Sequence, residues 1–176
     1  MLCIGSCAPL LIQEHFFYLT GVNRSWEEYK RGFRDPKGNY WIGNEMLSRL
    51  TTQNKYKLKF DLQQRGTGKW FYPEYSTFVV LPEAYNYKLQ VAGYSGTAGD
   101  DALGYSNGLM FSTYDRDNDQ SKNSNCASYF GGGFWYGNCY WCGVNVSRDV
   151  NNFLWHGLPG GSRLLTARMW LQCQYM

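Results

Sequence analysis

Short strands set among long, turn-rich loops, with a few short helices, are the fold class this sequence predicts. Three observations carry it. Seven Trp, fifteen Tyr and ten Phe favour strands, twenty Gly favour turns, and charged residues make up only 18% of the chain, too few for a helical bundle. At 176 residues the chain has the length of one domain with one core. Its net charge of +3 supplies no basic stripe for nucleic acid, and its aromatic content excludes disorder. It contains no apolar run of about 18 residues, the length needed to cross a membrane.

The elements come in chain order. Met1 to Ile12 has the apolar character of a signal-peptide core but lacks a basic start and runs into Gln13, Glu14 and His15, so it reads as an irregular terminus. Ser25-Trp26-Glu27-Glu28 is a capping box, which predicts a helix running to about Arg31. A second helix is expected from Asn44, with Met46, Leu47 and Leu50 at helical spacing, ending at Thr51-Thr52-Gln53-Asn54. From Lys55 to Leu62 the residues alternate, Tyr56, Leu58, Phe60 and Leu62 against Lys55, Lys57, Lys59 and Asp61, the mark of a half-buried strand. Tyr85, Tyr87, Leu89 and Val91 repeat that pattern, with Tyr75 to Val80 as the strand between. After Gly93 the periodicity stops, and to about Gly161 the sequence is loop, long enough to carry function.

Six cysteines stand at positions 3, 7, 126, 139, 142 and 173. Cys139-Tyr140-Trp141-Cys142 is formally C-x-x-C, and Cys126 with Cys173 would complete four thiolates, but a structural zinc site brings a second close pair and none is present. A thioredoxin-like reading fails for want of a βαβ pattern. Disulfides are the first choice, Cys126 to Cys139 as a local loop and Cys142 to Cys173 tying down the C-terminus. The sequons at Asn23 and Asn145 fit the same oxidising compartment and are the expected glycosylation sites.

Three motifs in the loop region bear on chemistry. Asp115-Arg116-Asp117-Asn118-Asp119 alternates carboxylates as a Ca²⁺ site requires, although it is not an EF-hand, and a solvated acidic turn is its plainer alternative. Gly104-Tyr105-Ser106-Asn107-Gly108 spells a nucleophile elbow, with Asp149 and His156 placed after it in hydrolase order. Leu109 to Thr113, directly after the motif, read as strand rather than helix, so a simple Gly/Asn turn explains the match better. Tyr129-Phe130, Phe134-Trp135-Tyr136 and Tyr140-Trp141, interleaved with glycines, suit either a core or a shallow ligand pocket.

NRSWEEYKRGF, GNYWIGNEMLSRLT, YKLQVAGYSGTAGDDALGYSNGLMFSTYDRDND, the NCA at Cys126 and WYGNC together resemble the C-terminal fibrinogen-like domain of ficolins, tachylectins, tenascins, angiopoietins and fibrinogen. The resemblance runs from about Asn23 to Leu171. It implies an α+β fold with a twisted antiparallel sheet, short helices and a loop-rich lobe for calcium and ligand, and no enzymatic activity. It also implies several dozen further residues, with their own strand and disulfide, where only Met1 to Val22 stands. Residues 1–22 are therefore an atypical segment and 23–176 a partial domain, with His15 to Leu19 as the candidate substitute strand.

Carried over by position, the resemblance implies Ca²⁺ held by the carboxylates of Asp117 and Asp119 and by backbone carbonyls assigned to Ser121 and Asn123. It implies the Cys126–Cys139 disulfide and a cis peptide at Asn138–Cys139. The ligand pocket falls on Phe130, Asn138, Cys139 and Tyr140, with Trp135 from the aromatic cluster and Asp149 near the place of a later pocket residue. Phe130 stands where the family commonly has Tyr, and Tyr140 where it commonly has His. The expected role is a secreted, calcium-dependent, lectin-like recognition domain for acetylated glycans in innate immunity or at cell surfaces. The alternative is an extracellular protein-interaction module of angiopoietin or tenascin type, binding a receptor or matrix protein.

Overall fold

The structure, a computed structural model, describes residues 8–16, 21–147 and 149–174. Strand β1 (Leu10–Phe16) opens the described residues and leads to helix α1 (Trp26–Arg31). The capping box forms as predicted: the Glu28 N–H donates to Ser25 Oγ at 3.3 Å and the Ser25 N–H to Glu28 Oε2 at 2.9 Å. Gly32 ends the helix at φ 88°, where a Cβ would stand 2.6 Å from the Ile42 oxygen, so no other residue fits. Two short strands, β2 (Phe33–Arg34) and β3 (Tyr40–Trp41), precede helix α2 (Asn44–Gln53).

α2 runs through the threonines expected to end it. Thr51 and Thr52 donate their hydroxyls to the Leu47 and Ser48 carbonyls, at 2.8 and 2.6 Å, and so stay within the helix. β4 (Tyr56–Gln64) alternates buried and half-buried along its whole length, as predicted. It extends past Leu62 to Gln64, a polar residue on the buried face whose amide is satisfied by the Pro159 and Gly161 carbonyls.

β5 (Trp70–Phe71), β6 (Glu74–Val80) and β7 (Leu89–Ser95) come next. The strand expected from Tyr85 to Val91 is only half realised. Glu83–Tyr85 is a 3₁₀ turn, and Asn86 and Tyr87 take φ 51° and 48°, which no strand permits. Tyr87 is buried through this turn, its ring stacked on Trp26 at 5.4 Å. Helix α3 (Cys126–Phe130), the hairpin of β8 (Cys142–Gly143) and β9 (Leu154–Trp155), and the long β10 (Leu164–Cys173) complete the order.

Among the described residues the main sheet is antiparallel and has eight strands, in the order β2-β3-β1-β10-β4-β6-β7, with β5 paired to β4. β10 lies between β1 and β4 and is hydrogen-bonded to both. The predicted substitute strand is therefore real but earlier: β1 ends at Phe16, and Phe17 to Leu19 lie outside the described residues.

One face of the sheet packs on an aromatic core. The Trp135 ring sits 5.2 Å from Phe111 and 6.1 Å from Trp41, and Tyr29 lies 5.2 Å from Phe111. Residues 96 to 161 form the loop-rich lobe on that core. The expected Cys142–Cys173 disulfide is absent. Cys142 is a free, buried thiol on β8 with its pKa pushed up by burial, and Cys173, on β10, is disulfide-bonded elsewhere. β8 pairs with β9, not with β10, so the two sulfurs belong to different sheets.

Candidate functional site

The acidic stretch is a tight turn pinned to the core at both ends. Thr113 and Arg116 exchange backbone hydrogen bonds at 2.9 and 3.1 Å, and Asn118 donates to the Phe111 carbonyl at 2.8 Å. The carboxylates do not all point one way. Asp115 turns back to accept the Trp26 N–H at 2.9 Å and so serves the start of α1. Asp117 and Asp119 stay together: the Asp119 N–H donates to Asp117 Oδ1 at 3.2 Å. Asp119 also accepts from the Ser121 N–H at 2.8 Å and from the Cys126 N–H, at the start of α3, at 2.7 Å.

Burial pushes the Asp119 carboxyl above the usual range, the neighbouring Asp117 adds to the shift, and the two N–H donors oppose it. Two like charges held side by side with hard oxygen donors fit a divalent cation, which would relieve their repulsion. Among the described residues no three acidic, His or Cys side chains converge. A cation here would rest on Asp117, Asp119 and backbone oxygens of the turn through Ser121 and Asn123.

The turn is fastened directly to the segment on which the ligand pocket is expected. The Gln120 N–H donates to the Gly137 carbonyl at 3.0 Å, and Cys126, at the start of α3, is disulfide-bonded to Cys139. The peptide between Asn138 and Cys139 is cis. Around it the half-buried Phe130 and Tyr140 meet edge to face at 4.6 Å, with Tyr136 beneath, 6.4 Å from Phe130. Asn138 is exposed at the rim. Tyr140 donates its hydroxyl to the Asn152 carbonyl at 2.8 Å; burial, then Cys142 and Asp149, push its phenol pKa up. Asp149 thus belongs to this neighbourhood, exposed, with Oδ1 accepting the Asn151 N–H.

Other predicted residues stand elsewhere. Trp135 lines no pocket: it is fully buried and donates its indole N–H to the Tyr87 carbonyl at 2.7 Å. Asn145 is buried, its amide nitrogen donating to Tyr29 Oη at 2.7 Å and to the Gly133 carbonyl at 2.9 Å, so a glycan there is incompatible with the fold. Asn23, the other sequon, is exposed. The hydrolase constellation is not assembled. Ser106 is buried and donates to the Trp135 carbonyl, while His156 faces Asp100 at 3.5 Å rather than Asp149.

Sequence reasoning missed one feature of this lobe. Exposed Tyr105 and Trp141 stack in parallel at 5.6 Å, and His156 lies 4.3 Å from Trp141. Tyr140 and Trp141 are adjacent, one against Phe130 and the other against Tyr105 and His156, so the two ring clusters share one backbone. No spacing rule joins Tyr105 to His156; the only signal was the Trp beside a pocket Tyr.

Comparison with known proteins shows what the chain is similar to. The sequence profile of the fibrinogen beta and gamma chains, C-terminal globular domain, matches residues 10–157 and so begins at the first residue of β1. Tenascin from Gallus gallus is 44% identical over 141 residues, 76% of this chain and 8% of tenascin. Angiopoietin-4 from Bos taurus is 36% identical over 168 residues, 90% of this chain and 33% of that protein. The chain spans a small part of the length of both. The fibrinogen-like globe domain of human ANGPTL2 superposes with a TM-score of 0.83 at 35% identity, covering 94% of this chain and 80% of that one. Lamprey fibrin D-dimer, solved with the peptide Gly-His-Arg-Pro-amide, superposes at 0.80 with 25% identity, covering 97% and 63%.

Proposed function

The protein belongs to the family of C-terminal globular domains of the fibrinogen beta and gamma chains, and from that premise we propose that it is an extracellular, non-enzymatic module that recognises a segment of another protein. The carrying observation is the pocket of Phe130 and Tyr140, rimmed by Asn138 and braced by the Cys126–Cys139 disulfide. Half-buried rings on a braced loop offer apolar contact at little entropic cost. The similarity to lamprey fibrin, solved with a bound peptide, supports a peptide-like occupant. Exposed Asn23 is the sequon that a secreted form would glycosylate.

The Asp117–Asp119 pair supports a second component, a Ca²⁺ ion in the turn beside the pocket. Bound there, the ion supplies charge neutralisation. Through the Gln120–Gly137 bond and the disulfide, the turn then holds the pocket loop. Acetylated glycans are the lesser reading. Phe130 offers no donor, and the Tyr140 hydroxyl is already donated to Asn152, so the pocket is poor in free polar groups for a sugar.

The test is a binding screen of the secreted, oxidised domain against displayed extracellular peptides and against an acetylated-glycan array, each with millimolar calcium and with chelator. A peptide or protein ligand lost on Tyr140→Ala and not displaced by N-acetylglucosamine supports the proposal. Calcium-dependent binding to acetylated glycans alone transfers the pocket to the lectin reading, and binding to neither refutes both.

A further inference from the structure

We propose that Glu83 and Trp26 are the positioning residues that hold Arg116 off the Asp117–Asp119 pair and so keep that pair open for a divalent cation, an inference that rests on the calcium reading above. The stretch Asp115-Arg116-Asp117-Asn118-Asp119 carries a cation of its own. An arginine beside carboxylates on an exposed turn is their natural partner, because its planar fork matches a carboxylate in a bidentate pair. Paired in that way, Arg116 would occupy the oxygens that a metal ion needs.

Arg116 instead lies against α1. Its guanidinium stands 4.1 Å from the centre of the Trp26 ring, and its one ion pair among the described residues, at 3.9 Å, is with Glu83 Oε1. Both anchors are themselves fixed. Trp26 is buried, its ring stacked on Tyr87 at 5.4 Å, and its indole N–H donates to Glu83 Oε1 at 2.8 Å. Glu83 Oε2 accepts from Lys30 Nζ of α1 at 2.6 Å.

Asp115 is drawn to α1 as well, accepting the Trp26 N–H at 2.9 Å and the Thr113 hydroxyl at 2.7 Å. The start of α1 thus takes the first carboxylate and the arginine out of the turn. Among the described residues Asp117 and Asp119 are left without an ion pair, and Lys122, the other cation of the segment, is exposed and unpaired. The contacts that hold Arg116 are modest, since an exposed ion pair adds little to stability. They act on a choice between alternative carboxylates, Glu83 or the chain neighbour Asp117, and a small difference settles such a choice. Once released, the guanidinium and the metal ion compete for the same oxygens.

Calorimetric titration of calcium into the full oxidised chain, in about 0.15 M salt to screen remote charges, tests this. Glu83→Gln keeps an acceptor for the Trp26 indole N–H and removes the charge that holds Arg116, so it is expected to raise the calcium Kd about fivefold. Arg116→Ala is expected to leave Kd within about twofold of the wild type, and Glu83→Gln added to it to have no further effect. A Glu83→Gln protein that binds as tightly as the wild type overturns the inference. So does an equal weakening with and without Arg116, which would mean that Glu83 acts through its own charge or through the fold. If Glu83→Gln does not fold, NMR of the wild type decides. Arg116 side-chain protons shifted by the Trp26 ring current, equally in calcium-free and calcium-loaded protein, support the inference; a shift that appears only with calcium, or never, overturns it. A wild type that takes up no calcium refutes the calcium reading and this inference together, whereas calcium uptake without coupling between Glu83 and Arg116 refutes this inference alone.

Discussion

Tyr29→Phe isolates the joint between α1 and the recognition lobe. The Tyr29 hydroxyl is fully enclosed, donates to the Val22 carbonyl at 2.5 Å, and accepts from the Gly133 N–H at 3.0 Å and from the Asn145 amide at 2.7 Å. The substitution leaves the ring in place, so no apolar cavity opens and the loss is polar. Three bonds at about 1 kcal/mol net each give about 3 kcal/mol. The partners are not hurt equally. Val22 keeps the Arg24 N–H and Asn145 keeps the Gly133 carbonyl, whereas the Gly133 N–H is left unsatisfied, which alone costs about 1–3 kcal/mol. For a chain of this size about 3 kcal/mol lowers Tm by about 6–12 °C.

The assay is urea and thermal unfolding monitored by tryptophan fluorescence, with disulfides intact. A double-mutant cycle with Asn145→Ala is expected to show a coupling of about 1 kcal/mol, because the two groups share a bond. A Tyr29→Phe loss below about 1 kcal/mol would refute the reasoning, since it would mean that the hydroxyl's bonds are replaced or were never worth their geometry.

Three further outcomes are expected. Millimolar calcium should raise Tm in the wild type, by about 2.7 kcal/mol of added stability at a hundredfold excess over Kd, and Asp119→Asn should abolish the shift in differential scanning calorimetry. Gly143→Ala places a Cβ 2.4 Å from the Asn152 oxygen and 2.5 Å from Tyr140, so it should cost about 1–3 kcal/mol in urea unfolding and displace the Tyr140 ring. The Cys142 thiol, its pKa raised by burial, should resist iodoacetamide at pH 8 in the native protein and react on unfolding, as read by peptide mapping.

The sequence made legible whatever is written in local pattern. The Ser25–Glu28 capping box and the alternation from Tyr56 to Leu62 each depend on neighbours a few residues away, and both appear as expected. Residues that answer to distant partners were read less well. Tyr87 sits in phase with Leu89 and Val91 but lies in a left-handed turn, because Trp135, 48 residues away, takes its carbonyl and Trp26 takes its ring. Cys142 and Cys173 were joined by arithmetic on cysteines, and the sheets keep them apart. In the site, the Asp117–Asp119 pair and the Phe130–Tyr140 contact were legible through resemblance, whereas the burial of Trp135 and Asn145 depends on packing that no spacing reveals.

The position of β10 fixes an order of events. Glu14 and Arg168, paired across β1 and β10, are 154 residues apart, and β10 is also the strand that joins β1 to β4. On a ribosome the helices, the hairpins and the pocket loops all emerge before the strand that completes the sheet. Until it arrives, β1 and β4 each present an open edge of unpaired backbone, the form most prone to join the wrong neighbour. Closure is thus a late step in the folding of the domain, slow because its contacts join strands about 150 residues apart. A truncation that removes only β10 would leave every local motif intact and yet split the sheet in two, β2-β3-β1 on one side and β5-β4-β6-β7 on the other.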